Sequence, residues 1–181
     1  TIKEDAVTDY TSQISNFDVT NTHAPGKTNI SVTKAWDDNE DQDGIRPKSI
    51  KVTLLADGED TGKSLTLNED NHWTGTFDNL DEKKAGKKIV YTVKEEAVEG
   101  YESNITGDAT QGYTVNNKHV PAVVDVAGKK TWEDKDNQDG VRPDKIVIRL
   151  LADGTEIQNK MVTADDNWEW SFTGLPKFKS G

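Results

Sequence analysis

The sequence predicts an all-β protein, a row of tandem antiparallel β-sandwiches with about seven strands each. Three observations carry this. The chain repeats itself with a period of 96 residues. Its apolar residues alternate over short runs that end in turns such as Asp57-Gly58. No window keeps an amphipathic helical pattern, because Gly, Asn, Asp and Thr interrupt every candidate.

The repeat organises the chain. KAWDDNEDQDGIRPKSIKVTLLADG, from Lys34 to Gly58, returns without a gap as KTWEDKDNQDGVRPDKIVIRLLADG, from Lys130 to Gly154. DNHWTGTFDNL (Asp70 to Leu80) returns as DNWEWSFTGL (Asp166 to Leu175) with one residue deleted. YTVNNKHVP (Tyr113 to Pro121) mirrors FDVTNTHAP (Phe17 to Pro25), again 96 apart. TVKEEAVEGY (Thr92 to Tyr101) mirrors TIKEDAVTDY (Thr1 to Tyr10) at a spacing of 91, so five extra residues lie between Tyr101 and Tyr113. A period this long is a whole domain rather than a solenoid unit. Residues 28–121 are expected to be a complete repeat. Residues 1–23 read as the closing strands of a split repeat, and residues 124–181 as the opening part of one. The joints HAPGKTN and HVPAVVD, with Pro or Gly between strands, read as short linkers.

Each strand has its own signal. In SIKVTLLADG, Ile50, Val52 and Leu54 alternate with Lys51 and Thr53 before the Asp57-Gly58 turn. Ile146, Ile148 and Leu150 repeat this in IVIRLLADG. KKIVYTVKEEAV sets Ile89, Tyr91 and Val93 against Val90, Thr92 and Lys94. GYTVNN is a last short strand.

Composition bounds the function. The formal net charge of −11 repels phosphate backbones, so nucleic acid and anionic membrane are not expected partners. Cysteine is absent, which excludes disulfides and thiolate metal sites. No apolar run approaches a membrane span. Five Trp and four Tyr argue for packed cores.

Three polar residues fall where strand alternation points inward. Lys34 sits in the first strand beside Trp36. Glu95 lies two past Val93, and Asn117 two past Val115. Spacing alone leaves two readings open. The three side chains satisfy one another in the core, or some point outward and only a Lys–Glu pair forms.

The pattern K-x-W-x-D-x-x-x-Q-D-G-x-R-P, then L-L-A-D-G, Y-T-V-x-E and a final V-x-N resembles the B-repeat (Cna B-type) domains of Gram-positive collagen adhesins and related surface proteins. The resemblance spans essentially the whole chain. It implies a transthyretin-like, inverse immunoglobulin-like β-sandwich. It also implies an intramolecular isopeptide bond between Lys34 and Asn117, with Glu95 as the acid that assists it. The chemistry is sound: burial lowers a lysine pKa, and a carboxyl in the same site is pushed upward and can polarise the amide. The reaction runs once, so no enzymatic turnover and no cofactor are expected. The implied role is a stalk or spacer in an extracellular, cell-wall-anchored adhesin, with neighbouring repeats as partners.

Residues 1–23 hold Glu4 and Asn21, the counterparts of Glu95 and Asn117, while residues 124–181 hold Lys130, the counterpart of Lys34. Together they would rebuild a repeat lacking only the counterparts of Lys87 to Tyr91. Two molecules are therefore expected to complement each other head to tail, a heterologous contact that propagates. The alternatives are a window on a longer array, or an engineered split-repeat that self-assembles.

Weaker signals remain. Asn39, Asp41 and Asp43 before Gly44 match the start of a calcium loop, but Ile50 stands where a bidentate Glu belongs and the second copy begins with Lys135. No EF-hand is expected; a surface calcium site or a host-matrix-binding role stays as an alternative beside an acidic turn. GIRP and GVRP are expected to fix the approach to the next strand. Trp36, Trp73, Trp132 and Trp168 are expected in cores, and Trp170 at the surface. His23, His72 and His119 lack metal-ligand spacing. No nucleophile–His–acid set, phosphate loop or paired glycosidase acids can be recognised.

Overall fold

The computed structural model describes residues 1–181, which divide into two compact units: residues 1–40 with 45–119, and residues 41–44 with 120–181. In the first unit, β1 (Thr11–Ser15) and β2 (Asp18–Thr22) form a hairpin. There follow β3 (Lys27–Asp37), β4 (Ser49–Ala56), β5 (Glu59–Asn68), β6 (Thr74–Asp81), β7 (Lys83–Lys84), β8 (Lys87–Lys88), β9 (Tyr91–Glu95), β10 (Glu102–Asp108) and β11 (Gly112–Lys118). One sheet has the order β10-β11-β3-β6 and the other β5-β4-β9, with β7–β8 a separate short hairpin. Seven strands thus form the sandwich. All pairings are antiparallel except one: β11 lies parallel beside β3, with Val115 opposite Lys34 and Asn117 opposite Trp36.

Alternation sets the core. Ile30 and Val32 of β3, Ile50, Val52 and Leu54 of β4, Tyr91 and Val93 of β9, and Val115 of β11 are buried together with Leu67, Phe77 and Leu80. Each such side chain stabilises the fold by about 1.5–3 kcal/mol. Three inward rows end in a polar residue: Ile30-Val32-Lys34, Tyr91-Val93-Glu95, and Val115-Asn117. At the β4–β5 turn, Asp57 and Gly58 both have positive φ, 52° and 87°, as a two-residue hairpin requires.

The alternation read across Lys87 to Val93 is not one strand. Lys87–Lys88 pairs back onto Lys83–Lys84, and β9 begins at Tyr91. Val90 is exposed and exchanges backbone and side-chain hydrogen bonds with Asp57. That tie hands the chain to the second sheet.

The β1–β2 hairpin reproduces β10–β11 in register. Ser12 faces Asn21 as Ser103 faces Asn117, and Ile14 faces Val19 as Ile105 faces Val115. The five extra residues therefore lie wholly at the tip of the β10–β11 hairpin.

In the second unit, β12 (Val123–Lys129) pairs with β15 (Glu169–Pro176), and β13 (Lys145–Ala152) pairs with β14 (Thr155–Thr163). Val162, Phe172 and Leu175 are buried, whereas Ile146, Ile148 and Leu150 are half-buried. The one-residue deletion does not lie within the stretch that matches Asp70 to Leu80. Asn167 takes the place of His72, with the same left-handed φ of 52°, before Trp168 in the place of Trp73. The deletion instead shortens the β13–β14 bulge: the β4–β5 register slips between Thr53 and Leu55 by one residue more than the β13–β14 register does between Leu150 and Leu151.

Trp170 is half-buried rather than surface-borne. It faces Gly128 across the β12–β15 ladder and packs on Phe172 with ring centroids 5.8 Å apart. In the first unit the same ladder position pairs Val32 with Gly75, and Leu65 and Leu67 lie directly over Gly75. Large and small residues have changed strands. A Cβ at Gly128 would strike the Trp170 ring. Gly128→Val is expected to destabilise the chain by about 1–3 kcal/mol and Trp170→Gly by about 3–5 kcal/mol. The double variant, which restores the Val–Gly pair, should lose less than the sum, as measured by urea unfolding followed by circular dichroism.

Candidate cross-link site

The parallel contact of β3 with β11 brings the first and last strands of the repeat side by side, and β9 supplies the third residue from the facing sheet. Lys34, Glu95 and Asn117 are all buried, and the Lys34 and Glu95 side chains are 0% and 2% exposed. The Lys34 Nζ donates to the Ala35 carbonyl at 2.7 Å and the Val115 carbonyl at 3.3 Å. It stands 4.0 Å from Glu95 Oε1 and 3.8 Å from the Trp36 ring centroid. Glu95 Oε1 accepts from the Asn117 Nδ2 at 3.1 Å. Glu95 thus faces the nitrogen of the Asn117 amide. Glu95 Oε2 and Asn117 Oδ1 have no hydrogen-bond partner. Leaving such groups unpaired costs about 1–3 kcal/mol each.

Burial pushes the Lys34 ammonium down from 10.5 to about 8, while Glu95 and then Asp38 oppose the shift and Arg46 adds to it. The amine is therefore near half-neutral in mildly alkaline solution, in reach of a carboxylate and a carboxamide, in a site closed to water. This arrangement can support acyl transfer from Asn117 to Lys34.

The surroundings contain a network that sequence reasoning missed. Asp38, 2% exposed, accepts two hydrogen bonds from the Arg46 guanidinium, at 2.9 and 2.5 Å, and one from the Tyr101 hydroxyl at 2.8 Å. Trp36 packs edge-on against Trp73 and Tyr101. The available signal was an Asp and an Arg eight residues apart in both copies, Asp38–Arg46 and Asp134–Arg142.

Glu4 and Asn21 are also brought together: Glu4 accepts from the Ser12 hydroxyl and the Asn21 amide, each at 2.7 Å. Both bonds, Ser12 first, hold the exposed Glu4 carboxyl below its ordinary range. Tyr10 stacks on His23, whose Nδ1 meets the Asp9 carbonyl, just as Tyr101 stacks on His119, whose Nδ1 meets the Gly100 carbonyl. Lys130 lies in the other unit, its Nζ 4.5 Å from the Trp132 ring centroid and bonded to the Thr131 carbonyl.

Asn39, Asp41 and Asp43 fall in the turn between β3 and β4. Asn39, Glu40 and Asp41 are successively left-handed, as are Lys135, Asp136 and Asn137, so this is a left-handed turn that Asn and Asp tolerate well. No three His, Asp or Glu side chains gather so as to hold a metal ion.

The model of the Cna protein B-type domain matches residues 30–118 and 126–181. The chain belongs to the Cna B-type domain family. It is 46% identical, over its whole length, to a collagen adhesin of Staphylococcus aureus, and spans 15% of that protein. The crystal structure of two B repeat units, B1B2, of the collagen binding protein of Staphylococcus aureus superposes with a TM-score of 0.81 at 45% identity. That match covers 97% of this chain and 47% of the crystallised one. The B-type sandwich is thus its fold, and tandem repeats are its organisation. No helix is long and apolar enough to cross a membrane.

The lysine in this B-type core makes a pH prediction. In Asn117→Ala the amine stays free. Between about 8 and 10.5 the folded chain binds fewer protons than the unfolded one, so stability rises with pH and is lost as pH falls through that window. A gain of about 3 kcal/mol across the window is expected from the shift. It should be absent from the Lys34→Met/Asn117→Ala variant, as read by urea denaturation at each pH.

Proposed function

We propose that the chain is a stalk segment of a Gram-positive, cell-wall-anchored surface adhesin, whose complete repeat forms a Lys34–Asn117 isopeptide bond by itself. One observation carries the reading: a lysine, an acid and an asparagine sealed together on the first strand, a facing strand and the last strand. The relationship to a collagen adhesin supports the surface location and the spacer role.

The reaction follows from the contacts. Lys34 reacts as the free amine, which burial makes available by lowering its pKa to about 8. The neutral Nζ attacks the Asn117 Cγ, forming the new C–N bond. Glu95 takes one proton from the attacking Nζ and passes it to Nδ2, the C–Nδ2 bond breaks, and ammonia leaves. The product is a secondary amide, and each chain reacts once.

The bond would close a loop of roughly eighty residues, stabilising the fold by about 4–5 kcal/mol on a loop-entropy basis. Its placement matters more. Tension entering along β3 would cross at Lys34 to Asn117 and leave through the end of β11. Residues 35–116 would carry little of it. Intact mass under denaturing conditions should show one ammonia missing from the wild type and none missing from Lys34→Ala or Glu95→Ala. A full-mass wild-type chain overturns the reading.

A second reading concerns the split repeat, and the shared register of the two hairpins and the Glu4–Asn21 pair favour it. Residues 1–23 of one molecule would complete residues 124–181 of another, with Lys130 joined to Asn21. A boil-resistant ladder on denaturing electrophoresis that vanishes with Lys130→Ala is the expected result. A single wild-type band rules it out.

A further inference from the structure

Lys34 can react only if its Nζ is held beside Glu95 and Asn117, and the Trp36 ring at 3.8 Å is what closes it in. Nothing polar fixes that ring, because the buried indole N–H has no hydrogen-bond partner. Its orientation comes from its neighbours. Tyr101 meets it edge-on, with centroids 5.0 Å apart. The Arg46 guanidinium carbon lies 5.4 Å from its centroid. Both neighbours are held by one buried carboxylate, Asp38, which takes a forked pair of bonds from Arg46 and one from the Tyr101 hydroxyl.

The second unit holds the same arrangement. Arg142 forks onto Asp134, and the Arg142 guanidinium and Lys130 Nζ lie 5.5 and 4.5 Å from the Trp132 centroid. There too the indole N–H is buried and unpaired. The intervening turns differ in sequence, Asn39-Glu40-Asp41 against Lys135-Asp136-Asn137, yet the same Asp–Arg fork stands beside the Trp ring, with Lys130 farther from it than Lys34 is from Trp36.

We propose that Asp38, Arg46 and Tyr101 are positioning residues for the cross-link: they lock the Trp36 ring and so hold Lys34 in register with Glu95 and Asn117. This rests on the reading that the Lys34–Asn117 bond forms. It adds that the turn between β3 and β4, which carries none of the reacting atoms, sets the rate of that step.

Charge gives the role a signature distinct from mere stability. The charged groups acting on Lys34 are Glu95 from β9 and Asp38 and Arg46 from the turn. Asp38 favours the ammonium and Arg46 the free amine. Removing one charge of the pair exposes Lys34 to the other, so the two deletions should move its titration in opposite directions.

The full chain, captured in denaturant as it is translated, is diluted into buffers between pH 6 and pH 10. Ammonia loss is followed by intact mass and folding by circular dichroism. The wild-type rate should climb with pH and level off above about 8. Asp38→Asn should shift that midpoint to lower pH, and Arg46→Met to higher pH. Tyr101→Phe, which keeps the ring but not the hydroxyl, should leave the midpoint in place and slow the step by about tenfold. Arg46→Lys, which keeps the charge but not the fork, should do the same, and it serves if Arg46→Met fails to fold. Folded variants that react at the wild-type rate with unmoved midpoints overturn the proposal. So does a uniform slowing of both charge variants without any shift. A wild-type chain that folds and never loses ammonia instead refutes the cross-link reading itself.

Discussion

The parallel contact between β3 and β11 is the constraint on which the rest depends. In an otherwise antiparallel sandwich it lays the first and last strands of a repeat side by side and in one direction. Both strands present alternate residues to the same core, and both rows end in a polar side chain at the same end. Lys34 and Asn117 are both brought to Glu95 there. β9 crosses from the facing sheet with its own row ending in Glu95. An isolated ammonium or carboxamide in such a position would be costly, and a shared partner in Glu95 reduces that cost without removing it. Two oxygens remain unpaired.

Much of this was legible in the sequence because strand parity is a local signal. Counting by twos from Val93 and Val115 directs Glu95 and Asn117 inward without knowledge of the pairing. The repeat likewise located the turns and the closing strands. Other features were hidden for physical reasons. The parallel pairing is between strands far apart in sequence, and no local pattern reports it. The Tyr101–Asp38 bond is equally distant. The continuous alternation from Lys87 to Val93 concealed a change of partner, since a hairpin residue and a sheet residue can share a parity. The deletion was misplaced because matching Asp-Asn letters were aligned, whereas the backbone aligns left-handed residues, His72 with Asn167.

The surroundings of the site divide their work. Aromatic rings exclude water and lower the lysine pKa, and the Asp38–Arg46 pair supports the rings from the surface side. The pair is itself only partly sealed, since the Arg46 side chain is 23% exposed. A charged pair at the rim of a dry site can transmit solution conditions inward, which an apolar lid could not.

The exchange of Val32 and Gly75 for Gly128 and Trp170 bears on how such chains fold. Adjacent repeats of similar sequence are prone to trade strands as they leave the ribosome, because each offers its neighbour a compatible edge. Here the trade is penalised. A strand bearing Gly75 laid against Gly128 leaves a void, and one bearing Trp170 laid against Val32 collides. Each repeat therefore carries a private steric key, one that keeps neighbours from misassembling while the outer motif stays common to both.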